Sequence, residues 1–366
     1  MSASFQKPLL TFAVGAYNQE RFVREAVESA FAQTYSPLEI ILSDDCSKDR
    51  TFEIMREMAA AYRGPHKIIL NQNPVRKSIG GHVNRCVELS HGEIILSAAG
   101  DDISSPERAA RVFQAWEEAE RLPVSIHSDT IQIDENGKRI ERLYQASETP
   151  TDLPITHQFV KPRDYLENFR PLVFGAAHAY SRRLFGAFGG LPEEVLHEDT
   201  AIPFRALLLS GRFVYIKEPL VKYRLHGNNI FLAPKHSRLD LKSLEKEENH
   251  LRHDCKHRRI AYDSFLADLE SARRQGLIAA TDYEETKSRA TVLRRHYAMM
   301  AEFLDASLPA KCRIFSRLRQ DGLDPQNRRI LARRLVPQSF VLRFRLAWRY
   351  ASLMMQGGRP ANESAN

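Results

Sequence analysis

Residues 93–108 read EIILSAAGDDISSPER and combine a strand signal, an acidic pair and the start of a helix. The apolar run before Ala99 is typical of a strand buried on both faces, as in a parallel sheet. Asp101 and Asp102 follow it, and two adjacent carboxylates repel each other unless a positive charge lies near them. The stretch therefore predicts a cation site at a strand end or, because Asp and Ser cap helices, the N-terminus of the next helix.

The same alternation of strand and helix surrounds this stretch. Apolar strands are predicted at residues 9–18, 38–45 and 66–73, and amphipathic helices at residues 21–33, 50–63, 80–90 and 106–121. This pattern is typical of an open, mostly parallel α/β sheet with helices on both faces, which binds ligands at the carboxyl ends of its strands. Polar residues stand at those predicted ends: Tyr17, Asn18, Asp44, Asp45, Asn71, Asn73, Asp101 and Asp102.

The second half of the chain has a mixed pattern. We predict two strands joined by a turn at residues 135–137, a short strand and helix within residues 173–192, and a helix that ends at Gly211. One or two further strands follow within residues 212–227, and the chain is polar and helical in pattern from about residue 237. This composition shift predicts an α/β domain over residues 1–235 and a basic helical region over residues 236–366.

Composition sets the broad class of the protein. Of its 366 residues, 43% are hydrophobic, so the chain can bury a sizeable core. No uncharged apolar run reaches about 18 residues, and the N-terminus lacks the pattern of a signal peptide. The four cysteines are widely spaced, as in a reducing compartment. We therefore expect a cytoplasmic protein without a membrane-spanning helix.

The net charge of +7 is concentrated near the C-terminus. Residues 311–350 hold eleven Lys or Arg and two Asp, so this segment carries +9 and the rest of the chain sums to −2. Within it, an amphipathic stripe of Phe340, Phe344, Ala347, Ala351 and Met355 could lie on an anionic membrane surface or pack on the main domain.

Two later segments also carry candidate chemistry. Glu198 and Asp199 begin a predicted helix, where a carboxylate can act as a general base or simply complement the helix dipole. Arg224 and His226 follow a predicted strand and could contact a diphosphate or a metal ion.

Five segments, in this order, resemble family 2 glycosyltransferases with the GT-A fold: VGAYNQERFVREAVESAFAQTY, LEIILSDDCSKDRT, NRCVELSHGEIILSAAGDDISSPER, HEDTAIPFRALLLSG and YRLHGNN. The resemblance covers residues 8–232. It implies an inverting enzyme, dependent on Mg²⁺ or Mn²⁺, that moves a sugar from a nucleotide-diphospho-sugar donor to an acceptor hydroxyl. Surface polysaccharide or glycoconjugate assembly is the implied process, with a sugar, lipid-linked or glycan acceptor.

Resemblance and position together give each candidate residue a role. We expect nucleotide contacts from Tyr17, Asn18, Asp44, Asp45, Lys77 and Asp101, metal contacts from Asp102, Asp101 and His226, a diphosphate contact from Arg224, an acceptor contact from His178, and the catalytic base at Asp199 or, second, Glu198. One position departs from the family, since Ala99 stands where an Asp is common. The departure favours Asp102 as the direct metal ligand, with Asp101 on the ribose or behind the metal.

Other functions leave weaker signals. A nucleotidyltransferase that makes sugar nucleotides would usually have a Gly-rich basic loop after the first strand, and residues 15–20 are not one. Only the basic tail suggests a nucleic-acid-binding protein, and no motif supports specific nucleic-acid binding. A non-catalytic nucleotide-sugar binding protein is a further alternative. His250, His253 and His257 share a helical face that could bind zinc, although a solvated helix is the simpler interpretation.

The expected partners are therefore the donor, the acceptor and a membrane surface. Contact through the C-terminal helix would place the protein peripherally on the inner face of the plasma membrane. A homo-oligomer is left open by the sequence.

Overall fold

A computed structural model describes residues 7–122, 124–140, 155–159, 161–167, 175–195, 198–209, 212–227, 229 and 241–335. The chain forms two compact units, the first of residues 1–229 and 260–291 and the second of residues 230–259 and 292–366. The change at residue 229 lies near the predicted boundary at residue 235. Residues 260–291 of the predicted helical region belong with the first unit, so the boundary in sequence is not a single cut.

The described residues of the first half alternate between strands and helices, as the sequence predicts. The strands there are β1 Leu10–Ala16, β2 Leu38–Asp44, β3 Lys67–Gln72, β4 Ile94–Ala99 and β5 Ile103–Ser104, and the helices are α1 Val23–Phe31, α2 Thr51–Ala61, α3 Ile79–Leu89 and α4 Arg108–Glu118. After residue 124 come β6 Ser125–Ile133, β7 Ile155–Phe159, α5 Pro162–Glu167, β8 His178–Ser181, α6 Arg183–Phe188, α7 Glu198–Leu209 and β9 Arg212–Arg224. The C-terminal helices are α8 Leu241–Arg274, α9 Ala280–Asp305, α10 Leu308–Gln320 and α11 Pro325–Ala332.

The strands form one mixed sheet in the order β3-β2-β1-β4-β8-β6-β9-β5, and β7 also pairs with β9. Four of the five strands of the first half, β3, β2, β1 and β4, are parallel to one another. Strand β8 runs antiparallel to both β4 and β6, and β9 pairs with β6 in parallel with a register shift at Asp129. The predicted α/β fold class is confirmed. Its parallel pairs are those among the first four strands of this order and the pair of β6 with β9.

The core lies against β1, β2 and β4, whose residues are mostly apolar and largely buried. Alternate residues of β1, Leu10, Phe12 and Val14, pack in one buried cluster with α1, α2 and α4. The intervening residue Ala13 is buried as well, and α3 contacts β1 and β2. This sandwich fixes the carboxyl ends of β1, β2 and β4 relative to one another.

A turn at residues 134–138 follows β6, with a single antiparallel bridge between Ile133 and Arg139, so the second strand of the predicted hairpin is reduced to one residue. Gly211 and the tail stripe of residues 340–355 lie outside the described residues. Within the described part of the chain, no helix combines the length and apolar character needed to cross a bilayer.

Candidate active site

The carboxyl ends of β1, β2 and β4 meet at one edge of the sheet. Gly15 is in register with Ser43 of β2 on one side and with Ala99 of β4 on the other. The amide of Gly100 donates to the carbonyl of Gly15 at 2.9 Å. The polar residues that follow these strands therefore emerge side by side, as the sequence predicts.

Asp44 and Asp45 form a buried acidic corner after β2. One Asp44 oxygen, Oδ2, accepts from the amide of Ser47 at 2.9 Å, while its Oδ1 is buried without a hydrogen-bond partner. Asp45 Oδ1 accepts from the Asn73 side chain at 2.8 Å and from the amide of Lys77 at 2.9 Å. The unsatisfied Asp44 oxygen is a ready acceptor for a donor group of a ligand.

Lys77 contributes to this corner through its backbone. Its Nζ lies 3.2 Å from the exposed carboxylate of Glu193, so the side chain pairs with Glu193 and not with the two aspartates. The contact of Lys77 with a nucleotide stays a prediction, and in the structure the Lys77 amide holds the Asp45 carboxylate.

Tyr17 and Asn18 form the loop after β1. Asn18 adopts a left-handed backbone conformation with φ of 52°, which Asn tolerates better than most residues. Its amide and side chain bind Ser47 and the amide of Lys48 at 2.8 and 2.9 Å, so Asn18 joins the first two strand-end loops. The guanidinium of Arg76 lies 3.9 Å from the centre of the Tyr17 ring and covers one face of it. A base could stack on Tyr17 only on the other face or by displacing Arg76.

Asp101 and Asp102 belong to a buried turn after β4, here called the aspartate turn (residues 100–102). Asp102 Oδ1 accepts from the amide of Arg224 at 2.8 Å, and Asp101 Oδ2 lies 2.8 Å from Nε2 of His226. The second Asp102 oxygen, Oδ2, is buried without a partner. Burial and the neighbouring charge of Asp101 raise the pKa of Asp102 well above its usual value, opposed by the Arg224 amide and by the charges of Arg108 and Arg224.

Arg224 stabilises the aspartate turn from one side. Its side chain is 0% exposed, and its Nε donates to the carbonyl of Asp101 at 2.8 Å. The remaining guanidinium nitrogens bind the carbonyl of Glu135 at 3.0 Å and the carboxylate of Glu25 at 2.8 Å. The predicted contact of Arg224 with a diphosphate does not fit this environment, because the guanidinium is enclosed and donates to protein acceptors.

His178 is likewise misplaced for its predicted role. It lies in β8 in the middle of the sheet, is 1% exposed, and its Nε2 binds the hydroxyl of Ser125 at 2.8 Å. Burial, with the charges of His127 and Arg108, lowers the pKa of His178 well below its usual value. A side chain so enclosed cannot touch an acceptor, and the predicted acceptor contact is corrected accordingly.

The donor set of the aspartate turn fits a hard divalent cation. Mg²⁺ in proteins is commonly held by one or two carboxylates and completes its coordination with water and substrate phosphates. The free Asp102 oxygen and the adjacent Asp101 carboxylate supply such a pair. His226 binds Asp101 through Nε2, so its place is behind a ligand carboxylate. Among the residues that the structure describes, no three His, Cys, Asp or Glu side chains converge on one point as a metal cluster would.

The histidines of α8 are the other candidate metal site. Nε2 of His253 and Nε2 of His257 lie 3.0 Å apart, as neighbours on one turn of helix do, and His250 is exposed. No third ligand joins them in the described part of the chain. The solvated-helix interpretation therefore describes this group better than a zinc site.

Glu198 and Asp199 begin α7 and form a second acidic pair. Glu198 Oε2 and Asp199 Oδ1 are both buried without a hydrogen-bond partner. Burial raises the pKa of Asp199 to about 7, and burial together with the charge of Asp199 raises the pKa of Glu198 to about 8. Carboxyls tuned in this way can gain and lose a proton near neutral pH.

Packing brings the start of α7 towards the strand that ends in the aspartate turn. The short 3-10 turn of residues 175–177 contacts β4, and a side chain at Gly175 would collide with Oε1 of Glu198. Helix α7 also contacts β9, the strand that carries Tyr223. Burial and the charges of Asp102, Asp101 and Asp199, in that order, raise the pKa of the Tyr223 phenol.

Helix α7 is held in place by two buried contacts. The Tyr165 hydroxyl donates to the carbonyl of Thr200 at 2.8 Å. Arg205 makes a buried two-pronged ion pair with Asp268 of α8, at 2.8 and 3.0 Å, and also donates to the carbonyls of Gly189 and Gly190. The first part of the helical region therefore supports the acidic end of α7.

Several residues of this site could not be found in the sequence. One is Phe22, whose ring centre lies 4.9 Å from both the guanidinium of Arg224 and the ring centre of His226. Like Glu25 and Tyr223, it carries no signal that would set it apart from an amphipathic helix or a strand. Arg108 does carry one, because it occupies the apolar stripe of α4 with Val112 and Trp116, where a charged residue is unusual.

The sequence of the chain is similar to those of known glycosyltransferases. Residues 11–185 match Glycosyl transferase family 2. The chain is 32% identical over 143 residues to "Putative glycosyltransferase EpsE" of Bacillus subtilis (strain 168), covering 39% of this chain and 50% of that protein. It is 26% identical over 230 residues to "Putative glycosyltransferase EpsH" of the same organism, covering 62% of this chain and 63% of that protein. The chain thus spans about half to two thirds of the length of these two relatives.

A solved structure is similar over much of the chain. The crystal structure of S. aureus TarS 1-349 in complex with UDP-GlcNAc has a TM-score of 0.49 and 15% sequence identity, covering 79% of this chain and 91% of that one.

Proposed function

We propose that this protein transfers a sugar from a nucleotide-diphospho-sugar to an acceptor hydroxyl with inversion, because residues 11–185 match Glycosyl transferase family 2. The observation that carries the proposal is the meeting of two acidic pairs, the aspartate turn and the start of α7, at the carboxyl edge of the parallel strands. The acceptor is a sugar, lipid-linked or glycan hydroxyl, in surface polysaccharide or glycoconjugate assembly.

The loops after β1 and β2 hold the nucleotide in this proposal. The free oxygen of Asp44 and the carboxylate of Asp45 accept from the base or the ribose. Tyr17 stacks on the base after the Arg76 guanidinium moves away from the face of the Tyr17 ring that it covers. Asn73 and the Lys77 amide fix the Asp45 carboxylate, so its free oxygen keeps one direction.

The aspartate turn holds the diphosphate end of the donor. Asp102, with Asp101 beside it, would bind Mg²⁺ or Mn²⁺, which when bound neutralises the charge that develops on the leaving diphosphate. Arg224 and His226 keep the two carboxylates in position through the hydrogen bonds that they make.

Asp199 acts as the general base. Its carboxylate takes the proton of the acceptor hydroxyl, whose oxygen attacks the anomeric carbon on the face opposite the leaving diphosphate. A base is most effective when its pKa lies near the working pH, and burial brings the pKa of Asp199 to about 7. Single displacement inverts the configuration at the anomeric carbon.

A panel of nucleotide-sugars tests the proposal. We expect release of the free nucleoside diphosphate from one donor class, dependent on Mn²⁺ or Mg²⁺, and a higher melting temperature with UDP, GDP or dTDP plus Mn²⁺. A melting temperature unmoved by any nucleoside diphosphate but raised by oligonucleotides would contradict the proposal in favour of nucleic-acid binding. Formation of a nucleotide-sugar from a nucleoside triphosphate and a sugar 1-phosphate, with release of pyrophosphate, would instead indicate a nucleotidyltransferase.

We further propose that the second unit brings the enzyme to an anionic membrane on the cytoplasmic side, where lipid-linked acceptors lie. Several arginines of α10 and α11 are exposed and have no carboxylate partner among the described residues: Arg313, Arg317, Arg319, Arg329 and Arg333. Two pairs of these stand four residues apart, so like charges share one helix face without neutralisation. An anionic lipid surface attracts such cations by about 1 kcal/mol each.

Removing four of these charges tests the membrane contact. With Arg313, Arg317, Arg329 and Arg333 changed to Gln, we expect binding to phosphatidylcholine vesicles that contain phosphatidylglycerol to weaken by at least about tenfold. The measurement is co-sedimentation, repeated at higher salt, which should weaken wild-type binding in the same way. The control removes the same charge from the first unit: Arg24, Arg56, Lys67 and Lys138 to Gln. Equal loss in both variants, or no loss in either, would contradict the assignment to α10 and α11.

A further inference from the structure

Arg108, at the start of α4, is buried beneath the aspartate turn. Its side chain is 0% exposed, and its guanidinium lies 5.5 Å from the centre of the Phe12 ring in the core. Arginine is almost never fully buried unless it is paired, so a fully buried arginine here calls for a physical reason.

The hydrogen bonds of Arg108 reach both sides of the aspartate turn. Nη2 donates to the carbonyl of Ser97 at 2.7 Å, and Nη1 donates to the hydroxyl of Ser104 at 3.0 Å. Ser97 precedes the turn in β4, and Ser104 follows it in β5. Nη2 also reaches the carbonyl of His178 in β8 at 3.3 Å. One side chain therefore joins the two strands that enter and leave the turn to a third strand beside them.

The charge of Arg108 has no direct partner. Among the described residues, no carboxylate oxygen lies within ion-pair distance of its guanidinium, and its Nε is buried without a hydrogen bond. The charge that acts on it is that of Asp102. A buried cation without an ion pair costs stability, and an apolar residue of similar size would fill the space at less cost.

We propose that Arg108 is a positioning residue for donor binding: it holds the aspartate turn in the shape that receives the diphosphate and its metal ion. Arg224 fixes the turn from the opposite side through Asp102 Oδ1 and the Asp101 carbonyl. The two arginines thus define the turn before any ligand arrives. This inference rests on the proposed function, which assigns Asp101 and Asp102 to the donor site.

Hydrogen exchange tests the positioning without any ligand. The amides of Gly100, Asp102 and Ser104 are hydrogen-bonded in the free protein, so their exchange reports on the turn. In Arg108→Met we expect faster exchange over residues 98–104, measured by mass spectrometry. Arg111→Met is the matched control on the same helix, since Arg111 is part-exposed and pairs with Glu218. It should leave exchange in the turn as in the wild type.

Ligand binding tests the functional half. With Mn²⁺ and whichever of UDP, GDP or dTDP stabilises the wild type most, we expect Arg108→Met to weaken the apparent Kd by about 10- to 100-fold, as loss of a group that orients ligand residues typically does. Arg108→Lys keeps the charge but loses the forked arrangement of donors, so its apparent Kd should lie between those of the wild type and Arg108→Met. If Arg108→Met does not fold, Arg108→Lys decides the test.

Each outcome has one meaning. Unchanged exchange in the turn in a folded Arg108 variant overturns the inference, and so does faster exchange with unchanged affinity. If the wild type binds no nucleoside diphosphate with Mn²⁺, the proposed function fails, while the exchange result still decides whether Arg108 holds the turn.

Discussion

Asp199→Asn will lower the rate of sugar transfer by about 10²- to 10⁴-fold, the usual contribution of a general base. The amide has nearly the shape of the carboxylate but cannot accept the proton of an acceptor hydroxyl. In the wild type, kcat/KM should rise with pH until Asp199 is ionised, near its pKa of about 7. Asp199→Asn should lose this rise, and measured rates from pH 5 to 9 with saturating donor will check it.

The same substitution will stabilise the free protein. Burial raises the pKa of Asp199 in the folded state to about 7, whereas an unfolded Asp titrates near its ordinary value. The folded state therefore binds more protons between these values, and stability falls as the pH rises through this window. Because Asn cannot ionise, the free energy of unfolding of the variant should exceed that of the wild type above pH 7 by on the order of 1–3 kcal/mol. The two values should converge near pH 4. Urea unfolding at the two pH values measures the difference.

Glu198→Gln distinguishes the two carboxyls. It too should stabilise the protein above neutral pH, because burial and the Asp199 charge raise the pKa of Glu198 to about 8. Its loss of transfer should be smaller than that of Asp199→Asn. A larger loss in Glu198→Gln would make Glu198 the base, and unimpaired transfer in both variants would remove α7 from the mechanism.

The first half of the fold could be predicted because its signals are local. Strands β1, β2 and β4 are buried on both faces, so their apolar runs are visible in the sequence, and the helices between them show one apolar face. The mixed part of the sheet has no such signal. Strand β5 has two residues and β8 has four, and their positions depend on pairing with β9, β4 and β6.

The candidate site divides in the same way. Asp44, Asp45, Asp101 and Asp102 could be found because each follows a strand whose end the sequence marks. The role of Arg224 could not, since its partner Glu25 lies 199 residues away and its burial depends on packing that only the fold creates. The predicted acceptor contact of His178 was wrong for the same reason. A short strand among small residues gives no indication that it will lie in the middle of a sheet.

Asp102→Asn will remove donor and metal binding while it leaves the aspartate turn intact. In the wild type the Arg224 amide donates to Asp102 Oδ1 at 2.8 Å. The side-chain oxygen of Asn can accept the same hydrogen bond, so the contact that holds the residue remains. The position of Oδ2, buried and without a protein partner, becomes an NH₂ group that repels a cation. We expect transfer to fall by at least about 100-fold and the stabilisation by Mn²⁺ with a nucleoside diphosphate to disappear.

Asp101→Asn provides the comparison, because the carboxylate of Asp101 already binds His226 at 2.8 Å and has less freedom to ligate a cation directly. The order of the two losses identifies the ligand. A larger fall in metal-dependent stabilisation for Asp102→Asn assigns the direct contact to Asp102, which bears that task because Ala99 offers no third carboxylate. Equal and complete losses would mean that both carboxylates contact the cation. Full retention of Mn²⁺-dependent binding in Asp102→Asn, with the fold preserved by circular dichroism, would contradict a metal role for the turn and leave the free Asp102 oxygen to accept directly from the donor.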